Sequence, residues 1–162
     1  MTTGTLSMTD ENAPLIGHGW WFEEFTLGRR FGTKKRTITE ADLGSYINLT
    51  WFTEELFGST EASHERSIKG RVVPAGLVFA FAEGLVCPTL EFTGQALLSF
   101  SVDIRAPTFV GDTIRVIAEV IEGREERKGG RGMVRTRNLV MTSANGLVIE
   151  YEALRLVAKR PS

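Results

Sequence analysis

Cysteine is almost absent: Cys87 is the only one in a chain of 162 residues. That excludes an internal disulfide framework and a cysteine-based zinc site. Histidine is nearly as scarce. His18 and His64 stand far apart and lack metal-ligand spacing, so no metal site is expected. No apolar run approaches the roughly 18 residues of a membrane span. The stretch Met1 to Pro14 is polar and has no hydrophobic signal core. A reducing cytoplasm is the expected compartment. A surplus of one charge is missing too. Nineteen basic residues face twenty acidic ones, for a net charge of -1. Such a chain exerts no long-range pull on nucleic acid or an anionic membrane, and neither is expected as a partner.

What is present is a globular chain. Apolar residues make up 42% and charged residues 24%, and the length suits one domain with its own core. Residues 1–16 read as a flexible leader of Thr, Ser, Asn and Gly without a period, and residues 17–162 as a single domain. The aromatics of Trp20-Trp21-Phe22 and Phe25 suit the edge of a core. Phe31 to Ile38 reads as a strand with one wet face. Thr39 and Asp42 have the spacing of a capping box, so a helix starts there, with Leu43, Tyr46, Ile47 and Leu49 as its apolar face. Glu61 to Arg66 suits a short exposed helix. Pro74 fits a helix start, because its missing N–H has no partner to lose there. Ala75 to Val86 is apolar nearly all round, apart from Glu83, and is expected to be buried, with Cys87-Pro88 as its stop.

The second half changes period. Residues 96–105, 112–122, 132–143 and 147–158 alternate as strands, as in Val116, Ala118, Val120 and in Ile149, Tyr151, Ala153. Asn145-Gly146 is a two-residue hairpin turn, where both central residues need φ > 0. One buried helix followed by four long strands predicts an α+β domain. An antiparallel sheet wraps the helix. The edge of such a sheet calls for a second copy, so a homodimer or higher homo-oligomer is expected.

Phe22 to Phe25, Gly28, Phe31 and Thr37-Ile38-Thr39-Glu40-Ala41-Asp42 together resemble the opening of the MaoC-like dehydratases, which include the (R)-specific enoyl-CoA hydratases. Arg105 to Thr113 looks like that family's "aPv.pGDt" segment, and Asn145 to Ile149 is similar to its closing hairpin. The likeness runs in order over residues 20–158. It implies a hot-dog fold and an acyl thioester, on coenzyme A or an acyl carrier, as substrate, with no cofactor.

In the family an Asp and a His five positions apart, in a "tgD.NPlH" motif, handle water and the proton. A glycine amide after an "hG" pair holds the thioester oxyanion. The chemistry needs both a base and a fixed dipole where enolate charge grows. Laid on Leu49-Thr50, the motif puts Phe52 at the Asp and Phe57 at the His. Glu54 falls on the Asn and Glu55 on the Pro; Pro74-Ala75 falls on the "hG" pair. Phenylalanine transfers no proton. Glu54, then Glu55, are the catalytic candidates if desolvated beside Trp51, Phe52 and Phe57; solvated loop acids are the alternative. The amide of Ala75 or Gly76 is the candidate oxyanion donor. Trp51, Phe52, Phe57 and Pro74 are candidates for binding substrate, and Phe79 and Phe81 for a bulky acyl group.

His64 reads as a surface residue, Cys87 as packing, and Glu83 as a structural acid paired with an arginine or lying at the wetter helix end. Arg105, Arg124, Arg127, Lys128 and Arg131 are candidates for coenzyme A phosphates or a charged rim. Three functions follow: a hydratase or dehydratase with an altered catalytic set, a non-catalytic acyl-thioester-binding or partner subunit, and a thioesterase.

Overall fold

A computed structural model describes residues 19–65, 70–127, 129–143 and 146–161, without the side chains of residues 63–65. The expected leader 1–16, His18, Arg66, Lys128 and Asn145 lie outside these residues. A 3-10 turn at Phe22–Glu24 precedes β1 (Arg30–Gly32), β2 (Arg36–Thr37), α1 (Glu40–Thr50), α2 (Glu55–Gly58) and α3 (Thr60–Glu65). Then come β3 (Val72–Val73), α4 (Ala75–Val86), a 3-10 turn at Cys87–Leu90, β4 (Gly94–Ile104) and β5 (Thr108–Phe109). The chain closes with β6 (Thr113–Glu125), β7 (Arg131–Thr142) and β8 (Gly146–Ala158).

The main sheet has the order β1-β6-β7-β8-β4, is antiparallel, and carries β2 on β6 as well. β3 and β5 pair separately, with Val73 opposite Thr108. Strand alternation places Val116, Val140 and Ile149 on one rung, and Ala118, Asn138 and Tyr151 on the next. This face carries α4. Leu77, Val78, Ala82, Leu85 and Val86 of that helix are buried against it. Each large aliphatic among them contributes about 1.5–3 kcal/mol relative to exposure. Trp20 caps one end of the core, edge-on to Phe25 and Phe31 at ring distances of 5.3 and 5.0 Å. Gly146 takes φ 64°, as its place in the hairpin turn requires.

The structure corrects three expectations. The strand expected over Phe31 to Ile38 breaks into β1 and β2. Thr33 turns inward, and its Oγ1 accepts from the Val116 amide at 2.9 Å, so a side chain takes over a ladder contact. α4 ends at Val86 before Cys87-Pro88 as expected and is followed by a 3-10 turn, but Cys87 is exposed rather than packed. Nor is α4 covered on all faces. Gly76, Ala80 and Gly84, four residues apart, form an exposed stripe. The capping box holds as read. The Asp42 amide donates to Thr39 Oγ1 at 3.2 Å, and the Thr39 amide donates to Asp42 at 2.9 Å. That backbone bond, ahead of the Thr39 hydroxyl and Arg36, holds the Asp42 carboxyl below its usual range. No helix among the described residues is long and apolar enough to cross a membrane.

Glu83 meets its arginine. Tyr151 Oη donates to Glu83 Oε1 at 2.8 Å, and Arg155 Nη2 donates to the same oxygen at 2.5 Å. Arg155 Nη1 and Asn138 Nδ2 both donate to Thr136 Oγ1 at 3.0 Å. The helix is thus tied to β7 and β8 by a polar chain beneath it. Burial, then the Glu83 charge, push the Tyr151 hydroxyl well above the usual phenol range.

Candidate functional site

Pro74 caps α4 in an extended conformation and offers no side-chain acceptor. A helix start leaves its first amides without intrahelical partners. Leu77 and Val78 donate back to the Pro74 carbonyl, whereas the Ala75 and Gly76 amides make no hydrogen bond among the described residues. Beside them lies a cavity of about 210 Å³. Phe57 of α2, Pro74 and Ala75 form one wall; Ile104 of β4, Pro107 and Ile149 of β8 form the other. Among the described residues, Thr108 supplies the only polar side chain in its lining, and no titratable side chain lines it. In such apolar surroundings an amide dipole acts on developing negative charge more strongly than it does in water.

Of the four residues expected to bind substrate, Phe57 and Pro74 line this cavity; Trp51 and Phe52 do not. Phe57 is buried, and Phe52 stacks on it at 5.1 Å while remaining 43% exposed. Phe79 packs on Tyr151 and Phe100, and Phe81 lies under the Arg36 guanidinium, so neither lines the cavity. Glu54 and Glu55 are exposed at the start of α2 and are not desolvated as the sequence reading required. They occupy the solvent side of the short helix whose Phe57 lines the wall. The His64 side chain lies outside the described residues.

Tyr46 is a site residue that the sequence reading missed. Its hydroxyl lies so close over Gly76 that any Cβ there would collide with it. That hydroxyl makes no hydrogen bond among the described residues, and the ring faces Phe52 at 6.2 Å. In the sequence Tyr46 reads only as part of an apolar helix face, and no local pattern brings it to Gly76. Trp51 is the second surprise. It is 85% exposed with φ 58°, at the place where the family motif has glycine. Left-handed backbone costs a residue with a Cβ about 1–2 kcal/mol, and an exposed ring offers no burial to offset it.

The basic candidates divide. Arg105 is held by Asp103 and Glu150, at 3.4 and 2.8 Å. Arg124 and Arg131 belong to the far end of the β6–β7 ladder. Gly132 pairs with Val157 there, eight residues along β8 from Ile149 on the cavity wall. That separation is about 26 Å of strand.

The comparisons agree with this architecture. A β-methylmalyl-CoA dehydratase of Chloroflexus aurantiacus is 28% identical over 144 residues, 88% of this chain and 41% of that protein. The crystal structure of a putative MaoC domain protein dehydratase from Chloroflexus aurantiacus superposes with a TM-score of 0.83. It is 28% identical, over 88% of this chain and 41% of that one. A Mycobacterium tuberculosis protein with a double hot-dog fold superposes with a TM-score of 0.79 at 18% identity, over 89% of this chain and 46% of that one. No family model matches the chain. The sheet curled on a central helix is therefore a hot-dog fold. Within that class the chain is similar to MaoC-like proteins of the dehydratase type. It spans about two fifths of the length of the curated relative it matches.

Proposed function

We propose that this chain holds an acyl thioester with its carbonyl oxygen on the Ala75 and Gly76 amides, and that it serves hydration of a 2-enoyl thioester or the reverse dehydration. The observation that carries this reading is the uncapped first turn of α4 beside an apolar cavity. The acyl group occupies the cavity, out of water, where two fixed dipoles stabilise the enolate oxygen. Glu54, with Glu55 beside it, takes the role of base from the solvent side of α2, and the Tyr46 hydroxyl, which lies over Gly76, is a proton-bearing group beside the amides.

Purified protein incubated with crotonyl-CoA and with longer or aromatic enoyl-CoAs loses enoyl absorbance under this reading. Glu54→Gln lowers that rate about tenfold to a hundredfold, the low end for a general base, because the carboxylate is exposed rather than desolvated. An unchanged rate removes Glu54 from the mechanism. Release of free thiol instead would mark a thioesterase.

A second reading has its own support: among the described residues no titratable side chain lines the cavity, and Phe57 forms part of its wall. Under it the chain binds the thioester and an active partner does the chemistry. Binding of a labelled acyl-CoA without turnover selects it.

The partner proposed under either reading is a second copy of this chain along β4. That strand is the sheet edge and leaves Leu97, Leu98, Phe100 and Ile104 about half exposed. Since Ile104 also lines the cavity, covering β4 closes the site. Sedimentation equilibrium at micromolar concentration is expected to give twice the chain mass; a monomer there sinks this part of the proposal.

A further inference from the structure

The break between β1 and β2 has a counterpart across from it. Lys34, Lys35 and Arg36 face the exposed flank of α4 and enclose with it a groove of about 440 Å³, completed by Ala80, Phe81, Gly84 and Leu85. That volume lies in the range of ligand sites. The three cations are not equivalent. Arg36 is neutralised by Asp42 at 2.9 Å and lies flat over the Phe81 ring, 3.7 Å from its centre. Lys34 and Lys35 have no ion pair among the described residues. Two uncompensated ammonium groups therefore border a groove whose other wall is apolar. Ala80 and Gly84 put almost no side chain between the groove and the helix backbone.

Position adds to the case. Ala80 and Gly84 stand five and nine residues along α4 from Ala75, about 7 to 14 Å of helix. They continue the exposed stripe that begins at Gly76, beside the candidate oxyanion amides. A phosphopantetheine arm has two amide units and roughly the length of four extended peptide residues, about 14 Å. A thioester held at Ala75 thus reaches the groove with its phosphate end.

We infer that the Lys34–Lys35 groove beside α4 binds the phosphate of the thioester's pantetheine handle. This rests on the thioester reading for the identity of the ligand, while anion binding by the groove is separable from it. Handles of coenzyme A and of a carrier protein share this phosphate.

Isothermal titration at low salt tests it with four probes: inorganic pyrophosphate, S-acetyl-pantetheine, S-acetyl-4′-phosphopantetheine and acetyl-CoA. The protein is compared with a Lys34→Gln/Lys35→Gln variant, whose exposed changes leave the melt unaltered. Arg124→Gln/Arg127→Gln, at the far end of the sheet, is the control. The wild-type chain is expected to prefer the phosphorylated thioesters over S-acetyl-pantetheine by about tenfold or more. The lysine variant loses that preference and keeps its affinity for S-acetyl-pantetheine; the control keeps both. A further gain for acetyl-CoA assigns the handle to coenzyme A, and a further gain for a phosphopantetheinylated carrier protein assigns it to the carrier. Equal affinity with and without phosphate, or a lysine variant that binds acetyl-CoA as the wild type does, overturns the inference and leaves the thioester reading standing. Lysine-dependent pyrophosphate binding with no affinity for any thioester supports the groove and overturns the thioester reading instead. If none of the probes binds, both fall.

Discussion

Ala75→Pro is expected to lower turnover of an enoyl thioester by about 10²–10³-fold, the loss that follows removal of one oxyanion donor. The substitution is suited to the question because of where Ala75 sits. It is the first residue of α4, and its amide has no partner in the helix. Proline's fixed φ suits the first helical position, and its missing N–H removes nothing the helix uses. Pro74 before it is already extended, with ψ 132°, as a residue preceding proline must be. The thermal melt should therefore stay in place while the rate falls. Ala75→Ser keeps the amide and should keep most of the rate. If the chain binds without turnover, the same variant should weaken acyl-CoA about tenfold in a titration. Wild-type behaviour of Ala75→Pro in both assays would remove this amide from the site.

Glu83→Ala is expected to destabilise the fold by about 3–5 kcal/mol, since it strands a buried partner of opposite charge. In a domain of this size that lowers the melting temperature by about 6–20 °C. Arg155 is only 5% exposed, and among the described residues it retains just its bond to Thr136 without Glu83. Tyr151 loses its acceptor at the same time. The double variant Glu83→Ala/Arg155→Met should recover most of the loss, because two apolar groups satisfy one another where a lone guanidinium cannot. A melt of Glu83→Ala within a degree or two of wild type would mean that water reaches Arg155 and the polar chain does not hold the helix. The phenol gives a pH signature. Its unfolded value is near 10.0 and its folded value lies higher, so its contribution is complete below pH 10.0 and is lost as the pH rises above that.

How far the site was readable from sequence differs residue by residue. Phe57, Pro74 and Ala75 were named from the resemblance to the family motif, and they do share one cavity. Their placement follows from local rules: a proline before an apolar run starts a helix, and the helix start exposes amides. Glu54 was expected against aromatic rings and is in solvent. Neighbours in sequence around a short helix point in different directions, so proximity to Phe57 in the chain does not mean contact with it. Tyr46 was filed with an apolar face, yet its hydroxyl rests on Gly76, thirty residues later. Lys34 and Lys35 read as the wet face of a strand, and only the inward turn of Thr33 sets them opposite α4.

By itself, then, the order of residues determined the elements. The capping box at Thr39, the bounds of α4 at Ala75 and Val86, the four long strands and the hairpin near Gly146 all rest on spacings shorter than a helix or a strand. Periodicity and capping act within a few residues, so they can be read without a partner. The tertiary structure alone decided which amides open on a cavity, which acid meets Arg155, which face of α4 stays bare, and which lysines line a groove beside it. Those outcomes depend on sheet register and on helix placement over the sheet. Both are set by contacts between residues far apart in the chain, where no local pattern carries the information.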